Sequence, residues 1–145
     1  MTFADELRNG RVLETPKWKP TLEDRRDIKI ILDALKREAL ESNKMGKSSV
    51  KKYLAYTGYD KDYWHLQSLE GNILESDFSS LKSYKEDYLI FLQSEISNGL
   101  KELGFTKITV QQETIQLYRQ EPGFFRDWKI VKGRCAKTMV IEFFW

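Results

Sequence analysis

The chain reads as α+β, with two long helices packed on one face of a small, mainly antiparallel sheet. Three observations predict this. Two windows carry apolar residues at helical spacing, and several shorter windows alternate as strands do. The stretch from Ala136 to Trp145 is apolar and aromatic enough to require burial as a strand.

In chain order, Thr2 precedes Asp5 by three, Phe3 and Leu7 share a helical face, and Asn9-Gly10 is a stop, which predicts a short helix over 2–9. Pro16 and Pro20 make 15–20 an extended connector, with the Trp18 ring as its anchor. Thr21 and Asp24 resemble a capping box. Ile28, Ile31, Leu32, Leu35 and Ala39 then form one apolar stripe, so a helix is predicted over 22–43. Ser48 to Tyr56 alternates like a strand, with Val50, Leu54 and Tyr56 on its more apolar face.

Residues 57–80 read as a 24-residue insertion before the last helix, with a short helix near 60–68. Ser83 and Glu86 are spaced to cap that last helix. Leu89, Leu92, Ile96, Leu100 and Leu103 form its stripe, and Gly104-Phe105 is a Schellman stop. Beyond it, Ile108 and Val110 are even-numbered while Ile115 and Leu117 are odd. This change of buried parity predicts two short strands in a hairpin turning at Gln111-Gln112-Glu113. Pro122-Gly123 turns the chain again, Gly133 precedes the final strand, and Ile141, Phe143, Phe144 and Trp145 are expected in the core.

A chain of 145 residues fits one domain, residues 1–145, and its 41% hydrophobic content supplies a core without staples. The formal charge of +2 is too small to argue for a general nucleic-acid or membrane-surface protein. A single cysteine cannot form an internal disulfide. The N-terminus lacks a secretory pattern, and no apolar run approaches the roughly 18 residues of a membrane span. A soluble, cytoplasmic protein with no membrane partner is the expectation.

One histidine, His65, and one cysteine, Cys135, argue against a multi-histidine or thiolate metal site, and no cofactor is predicted. Cys135 stands beside the last strand, where a small packed residue is expected rather than a nucleophile paired with His65. Met45-Gly46-Lys47-Ser48-Ser49 ends like a phosphate-binding loop, but Glu41 stands where the loop's first glycine belongs and a helix precedes it, where a strand is needed. The insertion's carboxylates Asp60, Asp62, Glu70 and Glu75 have no diagnostic spacing. A carboxylate-dependent hydrolase is therefore only a third reading, and an enzyme the minority one.

Two stretches suit binding. From Lys51 to His65, the rings of Tyr53, Tyr56, Tyr59, Tyr63 and Trp64 stand among lysines. From Arg119 to Lys137, six cations, including Arg119, Arg126 and Lys129, interleave with Phe124, Phe125 and Trp128 against two acids. Rings beside cations serve protein interfaces and also stack nucleic-acid bases. Tyr59, Tyr63, Trp64, Arg119, Arg126, Trp128 and Lys129 are the candidate binding residues.

The order of helix, Gly-Lys-Ser turn, strand, helix ending Leu100-Lys101-Glu102-Leu103-Gly104-Phe105, hairpin and a last strand ending in tryptophan resembles small uncharacterised proteins of bacteriophages and prophages of Gram-positive bacteria. The resemblance implies an accessory protein that binds a host component or a signalling nucleotide, and it carries no functional residues over. The leading expectation is a non-catalytic binding module for a host or phage protein, with a homodimer as an allowed assembly. Nucleotide or single-stranded nucleic-acid binding by the same surface is the alternative.

Overall fold

The computed structural model describes residues 2, 4, 18–56, 63–64, 72–123 and 128–145, with the backbone alone at 63–64, 119–122, 128–131 and 134. Apart from positions 2 and 4, the helix expected over 2–9 lies outside the described residues. Helix α1, Leu22–Lys44, starts at the expected capping box: Asp24 N–H donates to Thr21 Oγ1 at 3.1 Å and Thr21 N–H to Asp24 Oδ2 at 2.9 Å. Ile28, Ile31, Leu35 and Ala39 are buried on its inner stripe, while Leu32 is partly buried. Gly46, at φ +77°, ends the helix, since Lys47 N–H returns to Ser42 O at 2.9 Å. The glycine of the Gly-Lys-Ser run is thus a helix terminator. Trp18 anchors its segment as expected, with its ring against Tyr88 and Phe91.

Strand β1, Ser49–Tyr53, is followed by the two-residue strand β2, Tyr63–Trp64, helix α2, Glu86–Glu102, and the long strands β3, Thr106–Pro122, and β4, Trp128–Phe144. The strands form one antiparallel sheet in the order β1-β4-β3-β2. Asp24 reaches Lys82 just ahead of α2, and Leu32 lies where Gly99 lacks a Cβ, so the two helices run in the same direction. Both pack on the sheet face that carries Val50, Met139, Ile141 and Phe143. Leu74, Phe78 and Leu81 complete this core, so the later part of the expected insertion is structural rather than appended.

Helix α2 and strand β3 have 17 residues each. That number spans about 25 Å as helix and about 55 Å as strand. After the Schellman stop, with Gly104 at φ +89° and Phe105 N–H bonded to Leu100 O, β3 runs back along α2 and overshoots it by about half its length.

Five expectations need correction. The chain does not turn at Gln111-Gln112-Glu113: from Thr109 to Gln116, β3 pairs with β4 in unbroken register. The parity change arises because the two ends of one strand bury opposite faces. Ile108 and Val110 pack toward the helices, whereas Ile115 and Leu117 are covered on the other face with Tyr56, Ala136 and Tyr53. Gly133 accordingly lies inside β4 rather than ahead of it. Residues 63–64 are strand, not helix, because the edge of β3 at Tyr118 and Arg119 offers Tyr and Trp a pleated partner.

Helix α2 has Lys85 rather than Ser83 at its N-cap and no side-chain cap; Ser83 Oγ instead accepts from Lys85 N–H at 3.0 Å. Finally, Ile141 and Phe143 are fully buried, but alternation puts Phe144 on the other face, and Trp145, past the strand's end, remains 39% exposed.

Candidate functional site

Directly opposed residues of an antiparallel pair lie on the same face. Val110 opposes Ile141, and Gln112 opposes Met139, under the helices. Toward the hairpin tip the same face continues as Thr114 beside Lys137, Gln116 beside Cys135, and Tyr118 beside Lys132. The helices do not reach these rows. Thr114, Cys135, Lys132 and Lys137 are exposed, and Gln116 and Tyr118 are partly so. On the reverse face of the same segment, Ile115, Leu117, Ala136, Thr138 and Val140 are buried, and Thr138 Oγ1 donates to Leu54 O. Among the described residues, this part of the hairpin is therefore a sheet with one face covered and one face open.

A bulge sits within the open face, where three steps along β4 from Cys135 to Lys132 match two along β3 from Gln116 to Tyr118. The Gln116 amide closes it, donating to Gly133 O at 2.7 Å and to Leu117 O at 3.0 Å. Cys135 Sγ in turn donates to Gln116 Oε1 at 3.2 Å. The expected packed cysteine is thus corrected: alternation buries Ala136 and leaves Cys135 on the open face.

Of the candidate binding residues, Tyr59 and Arg126 lie outside the described residues, as do Asp60, Asp62, His65, Glu70, Phe124 and Phe125. Glu75 is exposed. The backbone register puts Trp64 beside Tyr118, extending that row to Trp64, Tyr118 and Lys132, and puts Tyr63 beside Arg119. Trp128 opposes Pro122, and Lys129 opposes Glu121. Glu113, opposite the buried Thr138, falls on the reverse face. The two aromatic and basic stretches are thus neighbours in the sheet, through the pairing of Tyr63 and Trp64 with Arg119 and Tyr118.

Reading the sequence missed Gln116, Tyr118 and Cys135. The signal was present: buried Ile115 and Leu117 imply open neighbours at even positions, provided the strand does not turn.

A second polar cluster lies at the start of α1. Asp24, only 1% exposed, accepts from the Thr21 backbone and forms an ion pair with Lys82, whose ammonium stands 5.4 Å over the Tyr88 ring. Burial raises the Asp24 carboxyl, but the hydrogen bonds from Lys82 and Thr21 outweigh it and hold the group below its ordinary value. The hydrogen bond with Asp24 raises Lys82, and burial pushes the Tyr88 hydroxyl up to about 12. A carboxylate so held is a weak base, and this one serves as a clamp joining α1 to the segment before α2.

Among the described residues, no three His, Cys, Asp or Glu side chains group as a metal site requires, and no helix is long and apolar enough to cross a membrane. Comparison with known proteins finds no matching family model, no similar curated protein and no similar solved structure.

Proposed function

We propose that the chain is a non-catalytic binding module that receives a protein partner on the open face of the β3–β4 hairpin. One observation carries this reading: among the described side chains of the overshooting hairpin, Ile115, Leu117 and Ala136 are buried on one face while Thr114, Lys132, Cys135 and Lys137 are exposed on the other. Among the described side chains, its bare side holds Tyr118, Lys132 and Lys137 and no carboxylate of β3. A sheet face of this length left bare, with a ring among cations, suits an acidic protein surface. The resemblance to phage accessory proteins would make that partner a host protein.

A second reading, single-stranded nucleic acid, is favoured by the row of Trp64, Tyr118 and Lys132, which places two aromatic residues and a cation in line across three strands.

The test is a charge reversal at two exposed positions, Lys132→Glu with Lys137→Glu. The double variant is expected to keep its unfolding midpoint, since exposed substitutions usually change stability by under about 0.5 kcal/mol. It should lose the partner that the immobilised wild-type chain retains from a host lysate. Undiminished retention contradicts the proposal. Binding of a labelled oligonucleotide that falls steeply between about 50 and about 200 mM salt selects the second reading.

A further inference from the structure

We propose that the free edge of β3 pairs antiparallel with the same edge of a second copy, making a two-fold dimer with one continuous sheet. This surface is separate from the open hairpin face, and the inference does not depend on that face's role. The direction of the edge groups comes from two hydrogen bonds. Gln93 Nε2 of α2 donates to Val110 O at 3.0 Å, so that carbonyl points away from β4. Leu54 N–H donates to Met139 O at 2.9 Å, so Met139 turns its backbone toward β1, and its partner Gln112 must turn outward. The even-numbered residues of β3 from Ile108 to Thr114 therefore aim their N–H and C=O groups outward. Strand β2 covers the edge only at Tyr118 and Arg119, and among the described residues no other strand pairs there.

An edge of this length is a template for another strand, and no proline interrupts it between Thr106 and Glu121. Outward residues must meet outward residues, which restricts the register. A two-fold axis at Val110 sets Ile108 against Gln112 of the second copy, Thr109 against Gln111, and Lys107 against Glu113, each twice by symmetry. Axes at Ile108 or Gln112 would leave both charges without a counterpart.

Lys107 and Glu113 also share a face. Lys107 Nζ lies 5.5 Å over the ring of Phe144, on the side away from the helices, and the odd-numbered Glu113 faces the same way. The left-handed backbone at Lys107, φ 49°, ends the regular ladder there. Val110 O can keep its bond to Gln93 because a carbonyl has a second lone pair. Beside the edge, Ser94, Ser97, Asn98 and Lys101 of α2 line a polar groove of about 490 Å³ together with Ile108, Thr109, Val110 and Gln111.

The experiment is light scattering on the eluting peak, with the full chain at about 100 μM, where an interface of Kd near 10 μM is mostly occupied. Wild type is expected at twice the monomer mass. Lys107→Glu alone and Glu113→Lys alone should each weaken the dimer roughly tenfold or more, because each replaces two attractions by two repulsions. The double exchange should restore it. Gln112→Pro removes an outward N–H, which the β3–β4 ladder does not use, and should give a folded monomer. A monomeric wild type overturns the proposal, as does a dimer indifferent to Gln112→Pro or a double exchange that fails to rescue.

Discussion

Phe143→Ala is expected to cost about 3–5 kcal/mol, a large part of the roughly 5–15 kcal/mol that holds a domain folded. Phe143 is fully buried on β4, a central strand flanked by β1 and β3, and its ring meets Phe105 at 4.5 Å and Trp145 at 6.3 Å. Removing it opens a cavity between the helices and the sheet that Ile141 and Met139, pinned in the same strand, cannot fill. A fall in melting temperature of roughly 10–15 °C is the expected reading. Trp145→Ala provides the contrast. That ring is 39% exposed and its indole N–H makes only a 3.4 Å contact with Asn43 Oδ1, so its loss should cost about 1 kcal/mol. Equal losses at the two positions would show that Trp145 is packed as fully as Phe143, against the difference in their exposure.

Asp24→Ala is expected to cost about 2–4 kcal/mol, measured by urea unfolding. It deletes half of the capping box, about 1 kcal/mol, together with the charge-assisted bond from Lys82, about 1.5–3 kcal/mol. Lys82 is 42% exposed, so it regains water once its partner is gone, which keeps the loss at this level. The wild type should show the same clamp as pH dependence. Asp24 titrates lower in the folded than in the unfolded state, so its contribution is present above the unfolded carboxylate range and is lost as pH falls through the folded value. Burial raises Asp27, which works in the opposite sense and blunts the acid limb set by the bonds from Lys82 and Thr21 to Asp24. On the alkaline side, Lys82 and Tyr88 are both raised. Their contribution is present below their ordinary values and is lost as pH climbs from about 10 toward about 12. Asp24→Ala should flatten the acid limb, and a profile unchanged by that substitution would remove Asp24 from its clamp role.

Local signals were legible and relational ones were not. Helix α1 could be read because its cap, stripe and stop all lie within 25 residues of one another, and the Schellman end of α2 for the same reason. The continuity of β3 was hidden because buried parity reports which face has a cover, and the cover changes along the strand. Helices sit over Val110; Tyr56 and its neighbours sit behind Ile115. Cys135 was misplaced by the same step, since it was judged by the apolar strand around it rather than by its parity. The pairing of Tyr63 and Trp64 with β3 crosses more than 50 residues of sequence, and no local pattern announces it. Adjacency of the two ring-bearing stretches could be supposed from composition, but the register that pairs them could not.

The one cysteine makes the open face directly measurable. With Cys135 on that face, a maleimide added to the native protein should label it at a rate within about tenfold of that of the unfolded chain, with the far-ultraviolet spectrum unchanged. Labelling that waits for denaturant would place Cys135 inside the fold and remove the bare surface from which the binding role is argued.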